Sequence, residues 1–381
     1  MKKEFKVYLI TGEQSGDLLG ARVMRALKQK TKVHFDGIGG DSMKAEGLKP
    51  LFDIDDLSVM GFLEVVPKIP KIMNRLNLLI EDILQKKPDV ILTIDAYSFS
   101  IRVHRRLKKI GCSIPHAHLV APHVWAWKKK RAQTIHKSVD YLYCLLPNEP
   151  ALFRPYKMAC SFVGHPVLEG GADQGQANRF RKKYALLSKE KLIGILPGSR
   201  HNEVNYLLPV LTEVMKQLKD KIPNAHFIIP TVSPVRKKVQ EALLKTGLPY
   251  TLVLGEQDRY DAFAALEFAV AASGTVSLEL ALAKVPHVII YKMNPITMWL
   301  ARKFLTIKYA NLLNLLSNRL VIPELIQEHC NPDNIVRTVL KVAKDKKQIQ
   351  QTQEALKLLQ ASPTEKPAQL IAQHLLKMGG A

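Results

Sequence analysis

The feature that most constrains the fold of this chain is a repeated succession of a short apolar run, a turn of small residues and a helical pattern. The predicted strands are residues 5–11, 33–38, 90–94, 115–120 and 141–145 in the first half, and 192–196, 225–229, 251–254, 268–272 and 288–291 in the second. Consecutive strands that are joined by helices lie parallel in one sheet. The alternation therefore predicts an α/β fold with two Rossmann-like, doubly wound parallel-sheet lobes that face a cleft.

A polar, glycine-rich stretch separates the two series of strands. At 381 residues, the chain exceeds the roughly 150 residues of one ordinary domain. We expect a first lobe over residues 1–168, a linker over 169–190 and a second lobe over 191–349. The last helical pattern, residues 350–381, can pack back on the first lobe.

The net charge of +22 and the pI near 9.7 indicate anionic partners. No RNP signature, zinc-finger spacing or basic homeodomain-like helix favours nucleic acid, so we expect phosphorylated substrates or anionic lipids instead. The apolar runs are all shorter than the ~20 residues that span a membrane. The four cysteines lack a metal-binding spacing and no export signal precedes them, which predicts a cytoplasmic protein with reduced thiols and no metal site.

Two turns of the second lobe are predicted to bind phosphate. Gly198-Ser199-Arg200 follows one strand and Ser273-Gly274-Thr275 follows another, each before a helical pattern. Backbone N–H groups at a helix N-terminus attract anions, and Arg200 can clamp a diphosphate. Glu279, early on the second of these helices, offers a carboxylate to ribose hydroxyls. The alternative is an ordinary pair of strand-to-helix turns, with a solvated arginine and a glutamate that complements the helix dipole.

Acidic and small residues end two strands of the first lobe. Glu13, Ser15, Gly16 and Asp17 follow the first strand; the glycine permits close approach of a substrate, and the polar side chains can bind a sugar. The spacing is not GxGxxG, so dinucleotide binding is not predicted. Asp95 ends the most apolar strand and is a candidate general base. The alternatives are that Ser15 and Asp95 are N-caps of the helices that follow them.

A segment from Phe62 to Leu84 carries apolar residues at helical spacing, with two prolines near its start and basic residues on the other side. It is either a core-facing helix or a surface for acyl chains and anionic headgroups. The candidates for this acyl or membrane patch are Phe62, Val65, Val66, Ile69, Ile72 and Met73. The two tryptophans and four cations of Trp125–Arg131 indicate an interfacial anchor, a nucleic-acid platform or a helix start with inward tryptophans.

Short motifs in a fixed order cover roughly residues 6–332. In the first half they are GEQSGD at 12–17, GIGG at 37–40 with Met43 and Glu46-Gly47, LSVMG at 57–61, VWAW at 124–127 and FVGHP at 162–166. In the second half they are LPGSR at 196–200 with Glu203, ASGT at 272–275 with Leu278-Glu279, NLL at 314–316 and PEL at 323–325. Together they resemble the lipid-A-disaccharide synthase family.

The resemblance implies a glycosyltransferase of the GT-B fold. The implied reaction transfers the sugar of UDP-2,3-diacylglucosamine to the 6-hydroxyl of 2,3-diacylglucosamine 1-phosphate, with inversion and without metal or cofactor. It adds Asn314 to the candidate donor-binding residues. Asp95 would be the base, with Glu13 as a second candidate, and Arg200 would stabilise the leaving diphosphate. It also implies peripheral attachment to anionic lipids on the inner face of the inner membrane, and it allows a homodimer.

One motif departs from the family pattern. Where the family has Ile-Asp-x-Pro, then Gly or Asp, then Phe-Asn, this chain has Ile94-Asp95-Ala96-Tyr97-Ser98-Phe99-Ser100. Ser98 stands where some members carry a second acid. A diverged or inactive paralogue that binds UDP-sugar or lipid is therefore one alternative, and an isomerase like UDP-N-acetylglucosamine 2-epimerase is another.

Overall fold

The computed structural model describes residues 4–56, 69–122, 129–294, 308–345 and 347–380. The chain divides into two compact units. The first contains Met1–Pro166 and Leu359–Ala381, and the second contains Val167–Leu358.

The elements of the first unit alternate between strands and helices. They are β1 Phe5–Thr11, α1 Gln14–Lys28, β2 Val33–Ile38, α2 Asp41–Ala45, β3 Lys49–Pro50, α3 Ile69–Lys86, β4 Val90–Ile94, α4 Tyr97–Lys109, β5 His116–Leu119, α5 Lys129–His136, β6 Tyr141–Cys144, α6 Glu149–Phe153 and β7 Cys160–Phe162. In the described residues the sheet has the order β3-β2-β1-β4-β5-β6-β7, and its pairs are parallel. The strand order reverses between β1 and β4, where doubly wound sheets bind ligands.

The second unit repeats this arrangement. Its elements are α7 Ala177–Lys183, β8 Lys191–Leu196, α8 His201–Lys221, β9 Ala225–Pro230, α9 Ser233–Leu244, β10 Tyr250–Val253, α10 Glu256–Ala265, β11 Phe268–Ala272, α11 Thr275–Leu282, β12 His287–Tyr291, α12 Leu312–Ser317, β13 Glu324–Ile326, α13 Pro332–Lys344 and α14 Lys347–Lys357. The described sheet has the order β10-β9-β8-β11-β12-β13, with parallel pairs throughout. The predicted α/β class with two parallel sheets is confirmed.

Both sheets carry helices on their two faces, which explains why their strands are almost continuously apolar. In the first unit, one apolar cluster joins Leu9 and Leu92 to α1, and another joins Tyr8 and Ile91 to α3 and α4. In the second unit the larger cluster lies under α8, α9 and α13.

The last helix, α15 Pro367–Met378, belongs to the first unit and packs against α1. Ile371 and Leu375 are buried in the same cluster as Leu9. The hydroxyl of Tyr143 on β6 lies 2.9 Å from Nδ1 of His374. No helix among the described residues is long and apolar enough to cross a bilayer.

The predicted linker at 169–190 differs from the structure. It lies inside the second unit, where α7 packs against α10. Phe180 is buried beside Ala262, and Arg179 forms an ion pair with the buried Asp261. The polar composition of this stretch concealed the apolar contact of Phe180 and the ion pairs that Arg179 and Lys183 form with Asp261 and Asp258. Helix α14, placed by the prediction in the C-terminal stretch, also belongs to the second unit.

Some predictions concern residues that the structure does not describe. Phe62, Val65 and Val66 of the predicted patch lie outside the described residues, as do Leu57–Gly61 and Trp125–Trp127. The described part of the predicted helix at 62–84 begins at Ile69 and continues to Lys86. The edge strands β3, β7 and β13 were not predicted, because two or three residues are too few to show an apolar run.

Candidate active site

The first candidate region lies at the carboxyl ends of β1 and β4. Thr11 and Ile94 are partners in the parallel register, so Gly12 and Asp95 leave the sheet side by side. A Cβ on Gly16 would lie 2.1 Å from Oγ1 of Thr11 and 3.2 Å from the Ile94 carbonyl oxygen. Only glycine lets the first turn of α1 approach the two strand ends this closely. The fold thereby brings Ser15 and Gly16 of the 12–17 motif next to the strand end that carries Asp95.

Asp95 is partly exposed and adopts a left-handed backbone conformation, with φ 53°. Its Oδ1 accepts from the N–H of Ala96 at 2.9 Å, and its Oδ2 accepts from the hydroxyl of Ser15 at 3.5 Å. The hydroxyl of Ser100 holds its carbonyl oxygen at 2.8 Å. The carboxylate is therefore oriented by Ser15 on α1 and by the N–H of Ala96, while Ser100 on α4 holds the backbone of Asp95, and the residue keeps access to solvent.

Three residues at neighbouring strand ends share an unusual backbone. Asp95 and Ala96 after β4, and Val120 after β5, have φ values of 53°, 44° and 82°. A left-handed conformation costs a non-glycine residue about 1–3 kcal/mol, and a β-branched valine is among the least tolerant. Strain of this kind persists where the surrounding structure enforces it, and it clusters at functional sites.

Asp17 and Glu13 differ in what their surroundings permit. The Asp17 carboxylate is buried and accepts from the N–H groups of Gly40, Ser42 and Met43 at 2.7, 2.8 and 3.1 Å. It therefore holds the start of α2 on α1. Glu13 precedes α1 in an extended conformation, so the helix begins one residue before Ser15. The alternative that Ser15 is the N-cap is wrong, since the N-cap position belongs to Glu13.

The second candidate region lies at the carboxyl ends of β8 and β11. Leu196 pairs with Ala271, so the turn after β8 and the turn after β11 leave the sheet together. Gly198 has φ 101°, and a Cβ there would lie 2.6 Å from Oε2 of Glu203. That oxygen faces the N–H groups of Ser199 and Arg200 at 3.3 and 3.4 Å. The predicted phosphate turn is thus built around the carboxylate of Glu203.

Arg200 and Glu279 both form ion pairs in this region. The Arg200 side chain is 77% exposed and donates to Oε1 of Glu203 at 3.1 Å. Glu279, on α11, accepts from Arg259 at 3.1 Å and from the hydroxyl of Tyr260 at 3.5 Å. Burial raises the pKa of Glu279, while Arg259 opposes that shift. A carboxylate in this setting has hydrogen-bonding capacity for a polar ligand.

Asn314 is fully buried and is saturated by the protein. Its Nδ2 donates to the Ile322 carbonyl and to Oε1 of Glu324, both at 2.7 Å. Its Oδ1 accepts from the N–H groups of Val321 and Ile322 at 2.8 and 2.9 Å. An amide offers two donors and two acceptor positions, and all four are used. The side chain therefore holds the segment before β13 in place.

The described part of the predicted acyl patch is small. On α3, Met73 is 39% exposed and Ile72 is half-buried. Within the described ranges, no group of three or more His, Cys, Asp or Glu side chains is arranged to hold a metal ion.

Comparison with known proteins shows the family to which the chain with these two regions belongs. A model of the family described as Lipid-A-disaccharide synthetase matches residues 7–374. The chain belongs to the lipid-A-disaccharide synthase family. A synthase from Rhodospirillum centenum is 42% identical over 339 residues, which is 88% of this chain and 84% of the relative. One from Paramagnetospirillum magneticum is 45% identical over 337 residues, covering 87% and 86%.

Solved structures with the same fold are more distant in sequence. A putative UDP-N-acetylglucosamine 2-epimerase from Listeria monocytogenes has a TM-score of 0.67 at 13% identity, covering 98% of this chain and 95% of its own. The epimerase from Neisseria meningitidis bound to UDP-GlcNAc has a TM-score of 0.64 at 13% identity, covering 98% and 100%. At this identity the likeness shows a shared GT-B-like fold and no more. Members of the lipid-A-disaccharide synthase family are glycosyltransferases, and the chain is an enzyme of that class.

Several polar residues of this synthase family member escaped the sequence analysis. Glu324 accepts from the N–H groups of Ala310 and Asn311 at 2.8 and 2.9 Å, and Arg259 pairs with Glu279. Glu324 stood in a motif quoted for the resemblance, but without a role. Arg259 carried no signal, because it lies 20 residues from its partner and on another helix.

Proposed function

We propose that this chain transfers 2,3-diacylglucosamine from UDP-2,3-diacylglucosamine to the 6-hydroxyl of 2,3-diacylglucosamine 1-phosphate. The products are a β-1,6-linked disaccharide 1-phosphate and UDP. Family membership over residues 7–374 is the observation that carries the proposal. The chemistry needs a base for the acceptor hydroxyl and positive or dipolar groups for the leaving diphosphate.

The first unit supplies the base in this proposal. Asp95 takes the proton of the acceptor 6-hydroxyl, whose oxygen attacks the anomeric carbon as the carbon–oxygen bond to UDP breaks. Attack from the face opposite UDP inverts the anomeric configuration. Ser15 keeps one carboxylate oxygen oriented, and the strained turn at Asp95 and Ala96 fixes its direction. Asp17 shapes the adjoining loop through α2, whereas Glu13 stays the second candidate for the base.

The second unit binds the donor in this proposal. The turns that contain Gly198-Ser199-Arg200 and Ser273-Gly274-Thr275 lie on adjacent strands and precede α8 and α11, whose N-terminal dipoles favour a diphosphate. Arg200 adds an exposed positive charge. Glu279 accepts from ribose hydroxyls. Asn314 is assigned here to positioning the segment before β13.

The departure at Ala96-Tyr97-Ser98 does not remove the base. Asp95 is present and oriented, and the exposed Ser98 lies on the first turn of α4. A single carboxylate is enough for one proton transfer. We therefore favour an active transferase over an inactive paralogue.

The diacyl substrates and the net charge of +22 support peripheral attachment to an anionic membrane surface. Ile72 and Met73 on α3 are the described part of the patch that would contact it. Placement at the inner face of the inner membrane and self-association stay predictions.

The deciding experiment measures UDP release in detergent from UDP-2,3-diacylglucosamine, with and without the acceptor. Acceptor-dependent release, together with a disaccharide product in mass spectrometry, is expected. Arg200→Ala should raise the donor KM and lower kcat, because its charge acts on the diphosphate before and during bond cleavage. Intact UDP binding without turnover would contradict the transferase proposal and support an inactive paralogue. An epimerised UDP-sugar without acceptor would support the isomerase alternative.

A further inference from the structure

A buried chain of hydrogen bonds lies directly behind the turn after β11. Ser277, the third residue of α11, is fully buried, as is His287 at the start of β12. The hydroxyl of Ser277 lies 3.0 Å from Nε2 of His287. Nδ1 of the same ring lies 2.8 Å from the carbonyl oxygen of Val285. The contact between Ser277 and His287 joins α11 directly to β12.

The partners determine the direction of each hydrogen bond. A carbonyl oxygen can only accept, so Nδ1 of His287 carries the proton and Nε2 accepts from the hydroxyl of Ser277. Burial lowers the pKa of His287 to about 4, which keeps the ring neutral at physiological pH. The hydroxyl of Ser277 in turn accepts from Nδ2 of Asn311 at 2.7 Å. His287 and Ser277 therefore each donate one hydrogen bond and accept one within this chain.

The chain continues into the segment that precedes β13. Oδ1 of the buried Asn311 accepts from the N–H groups of Leu313 and Asn314 and so caps α12. The N–H of Asn311 and Nδ2 of Asn314 both donate to Oε1 of Glu324, at 2.9 and 2.7 Å. One continuous network thus links α11 to α12 and to β13.

Side chains of α14 also hold the backbone of this network through hydrogen bonds. The side chain of Gln348 on α14 accepts from the N–H of His287 and donates to its carbonyl oxygen, both at 2.9 Å. Gln353 on the same helix donates to the carbonyl oxygen of Ala281 at 2.7 Å. Helix α14 therefore holds both the histidine and the far end of α11, and the contacts of Ser277 hold the near end.

We propose that His287, Ser277 and Asn311 are positioning residues that set the affinity of the second unit for the diphosphate of a nucleotide. Ser277 follows Ser273-Gly274-Thr275 within one helical turn, and its N–H donates to the Gly274 carbonyl oxygen at 3.2 Å. Any rotation of Ser277 therefore turns the N–H groups of Thr275 and Val276, the first two residues of α11, whose N–H groups have no carbonyl acceptor within the helix. The inference rests on the proposed assignment of that turn to the donor.

The test uses the full chain and UDP as the probe. His287→Leu removes the acceptor for the hydroxyl of Ser277 at similar volume, whereas His287→Gln retains an acceptor near the position of Nε2. We expect His287→Leu to raise the dissociation constant of UDP, measured by calorimetry, and the donor KM about three- to tenfold, the effect of one neutral hydrogen bond. The acceptor KM should stay unchanged, and His287→Gln should restore most of the UDP affinity.

His226 provides a matched control in the same unit. It is a largely buried histidine on β9 whose ring contacts Glu190 and Thr251 at 3.1 and 2.9 Å. His226→Leu should lower the melting temperature without weakening UDP binding. An equal loss of UDP affinity in this control would show that the effect is general destabilisation and would overturn the proposal.

The remaining outcomes separate the two proposals. A folded His287→Leu protein with wild-type UDP affinity, or with an equally raised acceptor KM, would overturn the positioning role but leave the donor assignment intact. Wild-type protein that binds no UDP would overturn both. If His287→Leu fails to fold, Ser277→Ala gives the decision, because it breaks both side-chain contacts with the loss of one oxygen.

Discussion

At the scale of single residues, the hydrogen-bond partners of a carboxylate distinguish a structural role from a possible catalytic role. Asp17 and Glu324 are surrounded by backbone N–H groups and are committed to structure. Asp95 accepts one backbone N–H and one long bond from Ser15. A base has to keep an oxygen that can accept a proton from substrate, and among these three carboxylates Asp95 fits that requirement best.

Asp95→Asn should lower kcat by ~10²-fold or more with little change in the donor KM, because the amide cannot take the acceptor proton. Acceptor-dependent UDP release measures both constants. Asp220→Asn, at an exposed position on α8, is the control and should behave as wild type. A near-normal kcat in well-folded Asp95→Asn would move the base assignment to Glu13.

At the scale of elements, the candidate donor site depends on the turns at the strand ends, and the first unit depends on the C-terminal helix α15. The turn after β8 depends on a left-handed glycine packed against Glu203, and the first unit depends on a helix that arrives from the far end of the chain.

Gly198→Ala should raise the donor KM about tenfold or more, because its Cβ would displace the Glu203 carboxylate and shift the turn. Gly247→Ala is the matched control. Gly247 also has a positive φ, 66°, but no atom lies within 4 Å of its Cβ position, so it should lose stability and keep its KM. Equal donor KM values in the two variants would contradict a role for the turn in donor binding.

Leu375→Ala should destabilise the first unit by about 2–5 kcal/mol, since Leu375 is fully buried in the cluster between α15, α1 and the sheet. Leu358→Ala, at a leucine that is 42% exposed, should change the melting temperature little. Calorimetric unfolding gives both values. Similar melting temperatures for the two variants would show that α15 adds little to the first unit.

At the scale of the whole molecule, buried histidines link stability to pH. Beneath the strained ends of β4 and β5, the hydroxyl of Thr93 lies 2.7 Å from Nε2 of His104 and 2.6 Å from Nδ1 of His118. The ring centroid of His116 lies 5.1 Å from that of His104. Burial lowers the pKa of His116 and His118 to about 4 and shifts that of His104 in the same direction.

We expect stability to fall as the pH drops from 6.5 towards 4. In that window the histidines are protonated in the unfolded state but stay neutral in the folded state, so protonation favours the unfolded state. Lys108 also lowers the pKa of His104 and His116, whereas Asp140 raises that of His116. Burial raises the pKa of Glu149 to about 7, so this carboxyl group stabilises the folded state as the pH falls from 7 to 4.5 and opposes the effect of the histidines. Denaturant unfolding from pH 7.5 to 5 measures the slope. His116→Leu should make the slope shallower, and an unchanged slope would show that His116 does not contribute to the pH dependence of stability.

Much of the framework was predictable because its signals are local. The strands 33–38, 90–94 and 268–272 match the structure residue for residue. The last two are fully buried, and a fully buried parallel strand is a nearly continuous apolar run. The turns after β1, β8 and β11 were also predicted from a local signal, because glycine and serine residues follow the apolar run of each strand directly. The ordered motifs were enough to indicate the family.

The sequence alone determined the two parallel sheets, the turns at their carboxyl ends and the family, because each of these depends on neighbouring residues or on motif order. The tertiary structure decided which polar groups are committed to the fold. It assigned Asp17 to α2, Asn314 to the segment before β13 and Ser277 to His287, each through contacts between residues that are distant in the chain or on different elements. A hydrogen bond is satisfied by whichever partner the packed elements bring within about 3 Å, and that proximity exists only after the chain has folded.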